Sequence, residues 1–190
     1  MGKVVVTEFV TLDGVMQDPG GAEKDHFDRG GWAFQFDRGE EGDRFKFDEL
    51  KAADAQLLGR VTYEGFAKAW PTMEGAGEFG EKMNSMPKFV VSRTIEDPTW
   101  NNTTVLGGDL AEEIGKLKEQ FEGDILVAGS AQLVQSLLAG GLIDELRLMV
   151  FPVVLGAGKR LFAGGADATA LKLVETRQTG AVAILTLARA

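Results

Sequence analysis

Cysteine is absent from the 190 residues. That excludes disulfides, thiolate catalysis and every cysteine-ligated zinc or iron–sulfur centre. Histidine occurs once, at His26, so one chain cannot build a multi-histidine metal site, and no metal is expected. A Ser-His-Asp triad has only His26 to draw on, and the sequence carries no nucleophile-elbow motif. Long hydrophobic runs are missing too: none reaches the roughly 18 residues that span a bilayer. The first residues read as a strand and lack the apolar h-region and small-residue cleavage site of a signal peptide, so a cytoplasmic location is expected. Positive charge is also in short supply. The net charge is −9 and the pI about 4.7, with no basic stripe of the kind a nucleic acid needs. A small anionic ligand is still compatible with this balance, because two or three local arginines can hold one.

What is present is ordinary for one globular domain: 44% hydrophobic and 26% charged residues, with no repeat, linker or composition shift over residues 1–190. Residues 4–10 read as a strand, followed by a turn at Leu12-Asp13-Gly14. Residues 15–42 are rich in Gly, Asp and aromatics without a clean period, which suggests an active-site loop. Beyond them, helices are expected at 45–53, from 60 to 70 before Pro71, at 77–85, at 110–121 behind an Asp109 cap, and from 129 to 138. Strands are expected at 55–58, 88–92, 103–106, 124–128 and 143–150, and a hairpin at 171–177 and 181–188 around Thr179-Gly180. The run from Leu146 to Leu155 suits either a central strand or a dimer contact. Alternation of strands and helices favours an α/β sheet with an antiparallel C-terminal edge.

Three of these strands exit into turns suited to anions. After Leu57-Leu58, Gly59 opens a helix whose first residues include Arg60 and Thr62. Free N–H groups and the helix dipole favour an anion there, and Arg60 and Thr62 add a cation and a hydroxyl; ordinary capping explains the segment equally well. After Phe89-Val90-Val91, two hydroxyls flank a cation in Ser92-Arg93-Thr94, which reads as a phosphate grip or as a plain polar exit. After Ile125-Leu126-Val127, Gly129-Ser130 begins another helix through Ala131 and Gln132. Taken together, the three turns suit a dinucleotide with several anionic groups. The GxGxxG fingerprint of the Rossmann fold is absent, so another fold would have to carry it.

The order of these motifs resembles a known family. Thr11-Leu12-Asp13-Gly14, Gly59-Arg60-Val61-Thr62-Tyr63-Glu64, Ser92-Arg93-Thr94, Gly129-Ser130, Gly141-Leu142-Ile143-Asp144-Glu145-Leu146 and Pro152-Val153-Val154-Leu155-Gly156-Ala157-Gly158 occur in sequence over nearly the whole chain. The chain is similar to the C-terminal reductase domain of the bifunctional riboflavin-biosynthesis deaminase-reductase, a family related to dihydrofolate reductase. The resemblance implies a three-layer α/β fold with helices on both faces of a mostly parallel sheet. It implies an NADPH site with Gly59, Arg60 and Thr62 at the cofactor phosphates, and Ser92, Arg93 and Thr94 at the adenosine end. Arg93 would hold the 2′-phosphate, and Gly129, Ser130, Ala131 and Gln132 would line the pyrophosphate. The family reduces 5-amino-6-(5-phosphoribosylamino)uracil, broader relatives reduce dihydrofolate, and relatives dimerise, so a homodimer is expected.

On the substrate side, Asp13 at the end of the first strand is the catalytic candidate. His26 or a water is an alternative proton donor. Trp32 and Phe34 in the loop and Phe66 on the following helix are the substrate-side aromatics, suited to covering a planar heterocycle. The family tends to place an acid before a glycine pair where this chain reads Val127-Ala128-Gly129-Ser130. The expected activity is reduction of a pyrimidine- or pteridine-like group by NADPH. A nucleotide-binding protein without the chemistry, or a dihydrofolate or flavin reductase, are the competing readings.

Overall fold

Eight strands form one sheet in the order β4-β3-β2-β5-β1-β6-β8-β7. The computed structural model describes residues 1–22, 26–162, 164 and 168–190. The strands are β1 Lys3–Thr11, β2 Ala55–Gly59, β3 Lys88–Val91, β4 Thr103–Leu106, β5 Asp124–Val127, β6 Glu145–Phe151, β7 Leu171–Thr179 and β8 Val182–Arg189. The helices are α1 Gly39–Ala52, α2 Arg60–Ala69, α3 Gly77–Ser85, α4 Leu110–Gln120 and α5 Ala131–Ala139. The first six strands run parallel, whereas β8 returns antiparallel beside β6 and pairs with β7. This is the dihydrofolate-reductase-like arrangement, with the antiparallel hairpin where Thr179-Gly180 predicts it.

The strand sequences explain their places. Val4, Val5 and Val6 are all fully buried, as expected of a β-branched strand covered on both faces. Val4 and Val6 meet Leu133, Val134 and Leu137 of α5 and Ile114 and Leu117 of α4. Val5 faces the other way, toward Leu50, Tyr63, Met83 and Trp100. A third cluster gathers Trp32, Met149, Phe151, Val182 and Ile184 around the base of the long loop. The run from Leu146 supplies a central strand, β6, between β1 and β8.

Two boundaries differ for physical reasons. The first helix begins at Gly39, six residues before the apolar pattern starts at Phe45. Its first turn is held by polar contacts instead: Gly39 N–H donates to Asp37 Oδ1 at 2.8 Å and Gly42 N–H to Thr179 Oγ1 at 3.1 Å. The last helix begins at Ala131 rather than Gly129, because Gly129 and Ser130 both adopt left-handed backbone (φ 64° and 61°) and stand outside it. The expected loop at 15–42 is therefore shorter. It also contains one turn of 3-10 helix at Trp32–Gln35, and its residues 23–25 lie outside the described residues.

Candidate functional site

Parallel strands bring their C-terminal ends to one edge of the sheet, and the order β3-β2-β5 sets the three predicted turns side by side there. Two of them are tied directly to each other. Gly59 N–H donates to Ser130 Oγ at 2.8 Å, and Ser130 N–H donates to Thr62 Oγ1 at 2.9 Å. The Thr62 and Ser130 hydroxyls are thus used to clamp the turns together, and neither α2 nor α5 has a side-chain cap. The first-turn amides of two neighbouring helices are left facing the same edge without a capping side chain, a setting that favours anions. Gly129 is required by this clamp: a Cβ there would lie 2.9 Å from the Thr62 side chain, on backbone that already favours glycine.

At the third turn, Ser92 is buried and its Oγ accepts from the N–H groups of Thr94 and Ile95, both at 3.1 Å. This fixes the loop and leaves Arg93 exposed, with no ion pair among the described residues. Arg60 is different, since its guanidinium pairs with Glu64 one turn along α2 at 3.1 Å. Ala131 and Gln132 open α5 beside the clamp.

The substrate-side candidates are dispersed. Trp32 is a core residue, 1% exposed. Its Nε1–H donates to Gln17 O at 2.8 Å and its ring meets Phe151 edge-on at 5.2 Å, so its indole is committed to packing. Phe34 is the opposite case, 75% exposed at the loop surface. Phe66 packs edge-on against Trp70 at 6.2 Å, in the cluster beneath α2 and α3. A groove of about 370 Å³ between α1 and α3, lined by Phe47, Leu50, Phe79 and Lys82, includes none of the three.

Asp13 works as a loop anchor. Its carboxylate accepts from Thr11 Oγ1 at 2.6 Å and from the N–H groups of Leu155 and Gly156 at 3.2 and 2.8 Å. Arg160 lies 3.6 Å away, and its guanidinium also donates to the Asp13 carbonyl. The Thr11 hydroxyl and these amides hold the carboxyl down at about 2. It is ionised at neutral pH, as suits a group that anchors the turn between Thr11 and Gly156.

Sequence reasoning missed two carboxyls that the fold buries. Beyond Val6, β1 leaves β5 and keeps only its ladder to β6. Glu8 lies on that free stretch, 5% exposed, and its Oε1 has no hydrogen-bond partner among the described residues. Burial pushes its carboxyl well up, while the Gly129 amide and the Lys46 charge oppose the shift and Glu49 adds to it. Glu49 sits on α1 against Thr7, whose hydroxyl donates to it at 2.7 Å. Lys46 pairs with it at 2.5 Å and Arg147 approaches to 3.9 Å. A glutamate inside the largely apolar run of residues 4–10 was the available signal for Glu8. Glu49 stands in a charged helix and gives none.

Comparison with known proteins agrees with this architecture. The sequence profile of the RibD C-terminal domain matches residues 2–185. An uncharacterised Bacillus subtilis protein, YyaP, is 32% identical over 178 residues, covering 92% of this chain and 88% of its own. Among solved structures, a putative riboflavin biosynthesis protein from Shewanella superposes with a TM-score of 0.78 at 20% identity, covering 99% of both chains. The dihydrofolate reductase of Enterococcus faecalis, solved with NADP(H), superposes with a TM-score of 0.56 at 16% identity, over 98% of this chain and 96% of its own.

Proposed function

The chain belongs to the RibD C-terminal domain family, and from that premise we propose that it is an NADPH-dependent reductase of a small pyrimidine- or pteridine-like heterocycle. The observation that carries this reading is the clamp between Gly59-Thr62 and Gly129-Ser130, which joins two helix N-termini without side-chain caps at the exits of adjacent strands. Two such N-termini suit the two charges of a pyrophosphate. Ser92-Arg93-Thr94 lies one strand farther out, and the unpaired Arg93 suits a third anionic group at the adenosine end, where NADPH differs from NADH.

The roles follow from these positions. Gly59, Gly129 and Ser130 present backbone to the pyrophosphate, Thr62 holds the Ser130 amide in place, and Ala131 and Gln132 supply first-turn N–H groups. Arg60, paired with Glu64, contributes positive charge at the rim. Bound NADPH supplies the hydride, and the protein's share is to align it and exclude water. The solved dihydrofolate reductase with NADP(H) supports a nicotinamide cofactor on this fold. A homodimer is also part of this reading. The outer strand β7 is exposed along most of its nine residues and carries Leu173 and Val174, each more than half exposed. Such an edge suits pairing with a second copy.

Titration with NADPH and NADH tests the reading, with binding at micromolar NADPH as the expected result. Arg93→Ala should weaken NADPH about 10- to 100-fold, the worth of charge-assisted hydrogen bonds to one phosphate, and leave NADH unchanged. Equal losses for both cofactors remove Arg93 from the 2′-phosphate, and absence of binding by the unaltered protein removes the reading itself.

A further inference from the structure

We propose that Glu8 is the acid that delivers the substrate's proton. The inference rests on the reductase reading above and gives it the group it lacks, because a hydride alone does not complete the reduction of a C=N or C=O bond. Asp13 is engaged otherwise, its carboxylate accepting from Thr11, Leu155 and Gly156 to hold the turn.

The argument starts from position. Glu8 lies where β1 has parted from β5 and is paired only with β6. Continuing the β1–β5 register past Val6↔Val127 brings Glu8 level with Gly129, and the Gly129 amide acts on the Glu8 carboxyl. A cofactor lying on the Gly129-Ser130 turn therefore has this carboxyl beside it. The second observation is the orphaned Oε1: buried polar atoms almost always find partners, and leaving one unmet is costly. A group retained at that cost, at the mouth of a strand split, is suited to a partner that arrives with the ligand. The third is charge. Gly129 contributes only its amide, and the β6 residue in register with Glu8 is Leu148. The charges that reach it are Lys46 and Glu49 of α1, which oppose each other. Desolvation prevails, and the carboxyl holds its proton at a pH where Asp13 has lost its own.

The step balances without a further reagent. The hydride brings two electrons to the substrate carbon. The π pair of the C=N or C=O bond moves onto nitrogen or oxygen, and that atom takes the proton from Glu8. One O–H bond breaks, one N–H or O–H bond forms, and the carboxylate is reprotonated from water. The overall change consumes one NADPH and one proton.

Infrared difference spectroscopy reads the group directly. At pH 7 the unaltered protein should show the carbonyl stretch of a protonated carboxylic acid. That band should be absent in Glu8→Gln and should shift when NADP⁺ is added. A spectrum without the band, or a band that NADP⁺ leaves in place, overturns the proposal whatever the substrate. Kinetics provide the second arm, with 5-amino-6-(5-phosphoribosylamino)uracil and dihydrofolate as probes. Glu8→Gln should bind NADPH within about threefold of the unaltered protein, yet transfer hydride 10²- to 10⁴-fold more slowly, the usual contribution of a positioned acid. Its rate should no longer fall as pH rises, and Glu8→Asp should recover part of it. A Gln variant with the original rate and pH profile also overturns the proposal. Failure of the unaltered protein to bind NADPH is a different result: it removes the reductase reading and with it the reason for the acid.

Discussion

Glu8 and Lys88 are both buried ionisable residues on parallel strands of the same sheet, and they sit toward its opposite edges. Lys88 opens β3 at the N-terminal edge, fully buried. Its Nζ donates to the carbonyls of Asn84, Met86 and Asn101 at 2.9, 2.8 and 3.1 Å and stands 4.5 Å from the Trp100 ring centre. An ammonium has three donors, and here all three are met. Glu8 lies toward the C-terminal edge with one carboxyl oxygen unmet. Burial disfavours the charged form of both, pushing Lys88 down to about 8 and Glu8 up. What separates them is satisfaction. A buried charge whose hydrogen bonds close within the fold holds elements together. One left open beside an anion-friendly turn is available for chemistry.

The sharpest way to break this contrast is at Lys88. Replacing it with Met keeps most of the stem but strips three carbonyls of their donor, two of them at the end of α3. The expected loss is about 3 kcal/mol, which lowers Tm by about 6–12 °C in a domain of this size, with NADPH binding unaffected. The pH dependence has a definite sign. Between about 8 and the ordinary 10.5 the folded protein has released the Lys88 proton while the unfolded chain retains it. The unfolded state then binds more protons, so stability rises with pH across that window. Lys88→Met should lack this rise. A Met variant of unchanged Tm would show that the lysine is not the tie the geometry describes.

Gly129→Ala addresses the opposite edge. The new Cβ has left-handed backbone and the Thr62 side chain at 2.9 Å to contend with, a strain of about 1–3 kcal/mol. Relief would pull Ser130 N–H away from Thr62 and loosen the clamp. NADPH affinity should fall more than tenfold, while Tm drops less than for Lys88→Met. Unchanged affinity, measured by fluorescence titration, would detach the clamp from the cofactor.

These two positions also show how much the sequence discloses. Strand–glycine–helix transitions are local, so the turns at Gly59, Ser92 and Gly129 are readable along the chain. Asp109 likewise caps α4, accepting from Ala111 and Glu112. The hydrogen bonds that join Gly59 and Thr62 to Ser130 span 71 and 68 residues and leave no local trace. Trp32 misleads because a Gly-rich loop suggests an open lid, whereas the fold closes this indole over Phe151. Glu8 is the converse case: a charge within the apolar run of residues 4–10 is visible along the chain, but only the strand order shows that it is buried beside Gly129.

Asp13 gives the smallest expected effect and the finest version of the comparison, because it shares β1's C-terminal region with Glu8 and is pushed the other way. Four contacts converge on its carboxylate from Thr11, Leu155, Gly156 and Arg160. A depressed carboxyl stabilises the fold above its ordinary value and loses that contribution as pH falls, here from about 3.8 toward 2. Asp13→Asn keeps the shape but weakens both acceptors and the ion pair. Near neutral pH the change in Tm should be smaller than for Lys88→Met, since the Arg160 partner is half exposed and the pair is partly screened. Amide exchange should quicken at Leu155 and Gly156, whose N–H groups it holds. The decisive readout is the pH profile of hydride transfer, which should keep its shape in Asp13→Asn and lose it in Glu8→Gln. If Asp13→Asn instead flattens the profile, the two carboxyls have exchanged roles, and an ionised, fully bonded aspartate would have to be the group that governs proton delivery.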